Sequence, residues 1–409
     1  MSLLSMAFRN QAKQTKDINM INEMTYSVSY PTGFMNLDFA NGYIQEINGQ
    51  KHFELGISDG SINMIISDSG VGKTTLATQA ACSIIKPFKS SCIFYEQAEV
   101  GTNIQRIKNL TKMDDETFEE RFIVRDAGIT TESIYNRVKM IYDIKVNNQS
   151  EYLYDTGLKD RHGNPIYKFE PTVVILDSIK LILSEKSTDA SEISNMSAAQ
   201  NANANSQYYS KMVPLCRTAN IIFLMINHIT TDINTGFLPK KSELAYLKQN
   251  EHIAGGKALT YIQNNIFRLD IKSKLKPEEG MGIVGSIVSL DVVKSRTNTS
   301  YRGKCNLVFD QAVGYDNDLS LLNMLKDRKL LEGSGAYLKL PGCDAKFSQK
   351  KFKELLYSNQ EFLNAFINIC VSTLRDELLQ EYERIQEEIK KSSNMSAYDM
   401  MIEQLSSVA

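Results

Sequence analysis

The hydrophobic positions of this 409-residue chain fall into short runs separated by stretches of helical periodicity. Four runs, Ile62–Ser67, Cys92–Tyr95, Thr172–Leu176 and Ile221–Ile226, are brief, rich in β-branched or aromatic residues, and end in polar residues. That is the pattern of parallel strands buried on both faces, which deliver chemistry at their C-terminal edge. Further runs at Ile266–Ile271, Ile283–Val293 and Cys305–Phe309 extend the sheet, and the last connections are too short for helices, which predicts antiparallel pairing there. The expected fold is α/β: a mostly parallel twisted sheet with helices on both faces and an antiparallel extension.

The flanks read differently. Residues 1–30 are polar and mixed, with a short helix expected at Leu3–Lys13, and they have the look of an arm. In Asn147–Glu170, two Tyr-rich segments flank a turn cluster of Gly157, Gly163, Asn164 and Pro165, which predicts an inserted, projecting hairpin. Beyond Gly335 the chain turns helical, and Phe362–Lys391 carries apolar residues at i, i+3 and i+4. Three units are expected: an arm at 1–30, a core at 31–330 containing the 147–170 hairpin, and a mainly helical module at 331–409.

Composition narrows the class. Apolar residues make up 42% and charged residues 23%, as in soluble globular proteins. No apolar run approaches the roughly 20 residues of a membrane span, and the N-terminus turns polar too early for a signal peptide. No membrane partner and a cytoplasmic location are expected. The six cysteines are scattered, with no C-x-x-C pair and no zinc-like spacing, which suits reduced thiols. The net charge of −2 is silent on nucleic acid.

The informative segment is Ser67-Asp68-Ser69-Gly70-Val71-Gly72-Lys73-Thr74-Thr75, between a predicted strand and a predicted helix, Thr74–Ile85. Small residues at such a junction let several backbone N–H groups converge on one point, and the helix dipole adds positive potential there. Lys73 can then reach β- and γ-phosphates, and the Thr74 hydroxyl can bind Mg²⁺. Ser67 stands where the usual motif has its first glycine, so the loop's entry is expected to differ. The run Thr172–Leu176 ends in Asp177, a second oxygen donor for the metal.

At this point the residues resemble a known family. Tyr30–Gly42 (YPTGFMNLDFANG), the loop above, VVILDSI at Val173–Ile179, LMINHI at Leu224–Ile229, AGGKALTY at Ala254–Tyr261, FRLDI at Phe267–Ile271 and VVKSR at Val292–Arg296 resemble, in order and spacing, the core of RecA-family recombinases. The resemblance covers roughly residues 30–385. The INH and KSRT elements and the KMVPLCRTANI helix with Pro214 are most similar to the UvsX-type recombinases of large bacteriophages.

The resemblance implies an ATP- and Mg²⁺-dependent protein that forms helical filaments on single-stranded DNA, pairs it with homologous duplex, and works beside single-strand-binding and mediator proteins. It implies a catalytic glutamate just past the second strand, where Glu99 and Glu96 both stand. His228 takes the place of a glutamine that senses the γ-phosphate, and Arg106 falls near the position covering the adenine. Lys294 and Arg296, two apart on one strand face, match a basic pair that reaches the neighbouring protomer's ATP. Two DNA-facing segments are implied, about Leu183–Ser197 and Thr230–Gly256, with Lys240, Lys241, Lys248, Gly255, Gly256 and Lys257 as contacts. The arm would dock on a neighbour. Glu361–Ala409 holds nine acidic and four basic residues, a net of −5, and an acidic end restrains DNA access in this family. Two other readings use the same core: a ring-forming replicative helicase, and a loading cofactor with little hydrolysis.

Overall fold

A computed structural model describes residues 26–99, 103–160, 163–179, 182, 195–231, 242, 244–254, 256–278, 280–297, 303–333 and 337–392. The sequence-predicted helix at Leu3–Lys13 and most of Leu183–Ser197 lie outside the described residues.

The sheet is built from β1 (Ile62–Ser67), β2 (Ile93–Gln97), β3 (Phe122–Arg125), β4 (Thr172–Asp177), β5 (Ile221–Thr231), β6 (Asn265–Leu275), β7 (Gly285–Ser295), β8 (Lys304–Asp310) and β9 (Gly314–Asp316). The order is β9-β8-β7-β6-β1-β5-β4-β2-β3, and a short strand, Glu251–Ile253, pairs with the far end of β5 to make ten strands among the described residues. Six neighbouring strands, from β3 across to β6, are parallel. The pairs β6–β7, β7–β8 and β8–β9 are antiparallel, as the short connections require.

The main helices are α1 (Lys73–Ile85), α2 (Ile104–Thr111), α3 (Thr131–Asn147), α4 (Asn195–Ala219), α5 (Gly256–Ile262), α6 (Asn317–Asp327) and α7 (Gln360–Ser392). Strand alternation divides the core between two faces. Ile65, Val173, Ile175, Ile222 and Leu224 pack with Leu76, Ala77, Ala81 and Ile84 of α1. Ile62, Met64, Ile66, Val174 and Phe223 pack with Ile134, Val138 and Ile141 of α3 and with Tyr209, Met212 and Cys216 of α4. A third cluster joins Leu319, Leu322 and Leu325 of α6 to Phe352, Phe362, Phe366 and Cys370, so the C-terminal helices are seated on the core's last helix.

Several expectations are corrected in extent. The second strand runs to Gln97 rather than Tyr95, so Glu96 is a strand residue with a fixed face. The strand expected at Ile221–Ile226 continues to Thr231, which puts His228 inside it. The 153–169 hairpin forms, with Leu153–Lys159 antiparallel to Pro165–Phe169, yet it lies against the core instead of projecting. Lys168 pairs with Asp59 at 2.8 Å, the Tyr154 and Tyr30 hydroxyls are 2.8 Å apart, and Ile166 is buried. Before α7 the chain makes a small hairpin, Leu338–Lys339 with Lys346–Phe347, where a helical chain is expected beyond Gly335. Pro214 does lie within α4.

Candidate functional site

The parallel strands bring four chain segments to one edge. In register, Ser67 of β1 stands beside His228 of β5, and Asp177 of β4 beside Gln97 of β2. Between β1 and α1 the chain turns through Gly70 (φ 78°) and Gly72 (φ 99°), a backbone region that L-side chains avoid. Space adds a second constraint at Gly72, where a Cβ would sit 3.1 Å from both Phe309 Cε2 and the Tyr315 hydroxyl. Ser67 remains extended as the last residue of β1, so the missing first glycine costs no strained φ. Its hydroxyl donates to the Asp68 carbonyl at 2.7 Å.

Lys73 opens α1 and is only 5% exposed. Its ammonium donates to the Asp68 carbonyl at 2.8 Å, the Ser67 hydroxyl at 3.0 Å and the Ser67 carbonyl at 3.2 Å. Burial pulls its pKa down to about 8, against the opposing pull of Asp177, Glu99 and Asp68. Beside it the Thr74 hydroxyl donates to Asp177 Oδ2 at 2.6 Å, and the Tyr95 hydroxyl donates to the same oxygen at 2.8 Å. Burial raises the Asp177 pKa, and those two donors oppose the rise. A buried carboxylate touching a hydroxyl at a helix start is a hard-oxygen donor set, and it fits a Mg²⁺ ion held by Thr74 and Asp177.

These side chains line a cavity of about 410 Å³ formed by Ser69, Gly70, Gly72, Lys73, Thr74, Thr75, Glu99, Arg106, Asp177, Ile226, His228 and Phe309. The sequence-predicted Lys73, Thr74, Thr75, Glu99, Arg106, Asp177 and His228 are thus brought together. Glu99 is placed by its backbone, whose N–H donates to the Asp177 carbonyl at 2.9 Å. His228 lies between Glu99 and the loop: Nε2 is 3.2 Å from Glu99 Oε2, and Nδ1 is 3.3 Å from the Ser69 hydroxyl and 3.4 Å from Lys73 Nζ.

Glu96 does not join them. Its neighbour Tyr95 faces the α1 side, so strand alternation turns Glu96 to the opposite face with Phe94. There it is 1% exposed and ion-paired with Arg125 at 2.5 Å and Arg137 of α3 at 3.2 Å. Lys294 and Arg296 also lie off the cavity. Both donate to the C-terminal carbonyls of α5, Lys294 to Thr260 at 2.5 Å and Arg296 to Tyr261. Burial and the neighbouring Arg296 lower the Lys294 pKa to about 8.

Of the predicted DNA contacts, Lys240, Lys241 and Gly255 lie outside the described residues, while Gly256 and Lys257 open α5. Lys248 is exposed, 3.5 Å from Asp270, in the segment leading to Glu251, which Arg268 holds with two hydrogen bonds of 2.7 and 3.0 Å. Sequence reasoning missed Tyr95, Gln79, Phe309 and Tyr315. Gln79 of α1 grips the β8–β9 turn through the Tyr315 amide at 2.9 Å, and the Tyr315 hydroxyl donates to the Val71 carbonyl at 2.8 Å. No local signal marks these contacts, which join residues more than 230 positions apart. A larger cavity of about 1240 Å³, between α7 and the antiparallel strands, contains ion pairs such as Arg328–Glu377 and lies away from this edge. No described helix is long and apolar enough to cross a membrane.

A mixed sheet with helices on both faces and a polar cavity at its strand ends is consistent with a RecA-like α/β core. No protein-family profile matches the chain. It is similar to a plasmid-borne protein RecA of Lactococcus lactis subsp. lactis, 22% identical over 346 residues that cover 84% of each chain. It is also similar to the RecA of Geobacter metallireducens, 22% identical over 308 residues (75% of this chain, 74% of the relative). The RecA of Pseudomonas fluorescens is 24% identical over 194 residues, 47% of this chain and 51% of that protein. These are distant similarities to proteins named RecA.

Proposed function

We propose that the chain is an ATP-dependent DNA recombinase of the UvsX type, which assembles as a helical filament on single-stranded DNA and pairs it with homologous duplex. The observation that carries this is the convergence of Lys73, Thr74, Asp177, Glu99 and His228 on one cavity within a RecA-like sheet. In this reading the loop from Ser67 to Thr75 wraps the phosphates, with Asp68 and Val71 contributing backbone and Lys73 contributing charge. Mg²⁺ supplies charge neutralisation at the phosphates when held by Thr74 and Asp177. Glu99 takes the proton of the attacking water. The exposed Arg106 and the ring of Phe309, both on the cavity wall, flank the base.

Lys294 and Arg296 act in trans, supplying positive charge to a neighbour's transferring phosphoryl group and making hydrolysis depend on assembly. Their place off their own protomer's cavity supports that role. Lys240, Lys241, Lys248 and the Gly255-Gly256-Lys257 junction contact DNA; residues 1–30 form the docking arm, 31–330 the ATPase core and 331–409 the acidic module that restrains DNA access. Single-strand-binding and mediator proteins are the expected partners.

Electron microscopy with single-stranded DNA and a non-hydrolysable ATP analogue, together with a joint-molecule assay, tests the reading. Filaments and DNA-stimulated turnover with homologous pairing are expected. Closed rings that unwind forks without pairing would support a helicase instead, and filaments with negligible turnover a loading cofactor.

A further inference from the structure

We infer that His228 is a positioning residue for Glu99, holding the carboxylate that takes the water's proton by a hydrogen bond from Nε2, and that it does so as the neutral Nε2–H tautomer. The inference rests on the reading of the cavity as an ATPase site and goes further by assigning the atom through which His228 works.

The partners fix the tautomer. An ionised carboxylate only accepts hydrogen bonds, so the 3.2 Å contact between Nε2 and Glu99 Oε2 requires hydrogen on Nε2. The three ammonium hydrogens of Lys73 go to the Asp68 carbonyl at 2.8 Å, the Ser67 hydroxyl at 3.0 Å and the Ser67 carbonyl at 3.2 Å, and the positive charge standing 3.4 Å from Nδ1 opposes a proton there. The Ser69 hydroxyl, 3.3 Å from Nδ1, can donate and so agrees with either neighbour. The imidazole thus sits between the lysine and the glutamate, with Nδ1 bare toward the cation and Nε2 donating to the carboxylate. Its backbone is held too: the His228 N–H donates to Asn227 Oδ1 at 2.9 Å, and Asn227 is fully buried with its amide donating to the Ala254 carbonyl at 2.9 Å.

Glu99 needs such a partner because its side chain is 47% exposed, whereas its backbone alone is fixed by Asp177. With Oε2 engaged by His228, Oε1 is left for water. In the hydrolytic step the water oxygen forms the new bond to the γ-phosphorus, the bond from that phosphorus to the bridging oxygen breaks with its electron pair leaving on ADP, and the water's proton passes to Glu99.

Two side chains separate the two faces of the ring. Glutamine places an amide nitrogen at the distance of Nε2; asparagine places one only at the distance of Nδ1. If His228 acts through Glu99, H228Q loses less than about fivefold in kcat and H228N loses about thirtyfold or more, each with KM for ATP within about threefold. In an E99Q background H228N then adds less than about twofold. The inference is overturned if H228N outperforms H228Q, if the loss appears in KM alone, or if the two losses multiply. Ring ¹⁵N spectroscopy of the 409-residue chain, with the His228 signals assigned by their disappearance in H228N, gives a readout independent of turnover. An Nε2–H imidazole is expected, and an Nδ1–H or doubly protonated ring overturns the inference. Absence of wild-type hydrolysis would count against the ATPase reading, and the tautomer alone would then decide the His228–Glu99 contact.

Discussion

Two buried lysines mark opposite ends of the sheet, and their surroundings differ in what they leave undone. Lys73, 5% exposed at the C-terminal edge, contacts loop carbonyls, a hydroxyl and an imidazole beside an open cavity. Lys145, 2% exposed and on α3, donates to the carbonyls of Glu170 at 2.6 Å, Ala219 at 2.9 Å and Asn220 at 3.5 Å. Burial lowers both pKa values, to about 8 for Lys73 and about 7 for Lys145. At the base, polar groups satisfy one another: Asn220 bonds to the Tyr30 hydroxyl and the Phe169 carbonyl at 2.6 Å each, tying the inserted hairpin to β5's start. At the cavity, Lys73, His228 and Asp177 meet across open space, with partners a nucleotide and metal can replace. Burial and a shifted pKa therefore identify no function by themselves; the open space and the converging donors do.

The largest expected effect separates the two lysines directly. Lys73→Ala should lower ATP turnover by at least about 100-fold in a coupled assay, since it removes the charge that meets the phosphates. Next, Glu99→Gln should lower kcat by about 100-fold and leave the melting temperature alone. Glu96→Gln should do the reverse, costing about 3 kcal/mol in denaturant unfolding because Arg125 and Arg137 lose their shared anion. Lys294 sits between the two extremes, half-buried and bonded to the Thr260 carbonyl of its own protomer. Lys294→Ala protomers mixed equally with wild type should depress turnover severalfold below the average of the two; simple averaging would remove the trans role.

Lys145→Met should cost about 2 kcal/mol by leaving buried carbonyls without a donor, with KM for ATP unchanged per folded molecule. The same lysine sets a pH slope. The folded-state pKa of Lys145 near 7 lies below the ordinary value of about 10.4, so between those limits the unfolded chain binds more protons and this residue's contribution to stability rises with pH. Below about pH 7 the lysine is protonated in both states and adds no slope. Unfolding followed from pH 7 to 9 should show a shallower rise in Lys145→Met than in wild type; parallel curves would mean that Lys145 titrates normally.

The sequence of this chain determined seven of the sheet's strands, though not β3 or β9, together with the loop at 67–75, the carboxylate closing β4 and the antiparallel extension, because each is written in residues that are neighbours in sequence. Period-two alternation, glycines at positive φ and a Gly-Lys-Thr junction act over a few positions. The tertiary structure decided which of two glutamates three residues apart meets the cavity, because β2 extends two residues further and a strand's parity assigns Glu96 to the far face. It decided that the 147–170 insertion closes on Tyr30 and Asp59, that Phe309 walls the cavity, and that Tyr315 braces the loop at Val71, both from more than 230 residues away. Those outcomes depend on which strands lie side by side, and pairing across long loops leaves no periodic trace in the sequence.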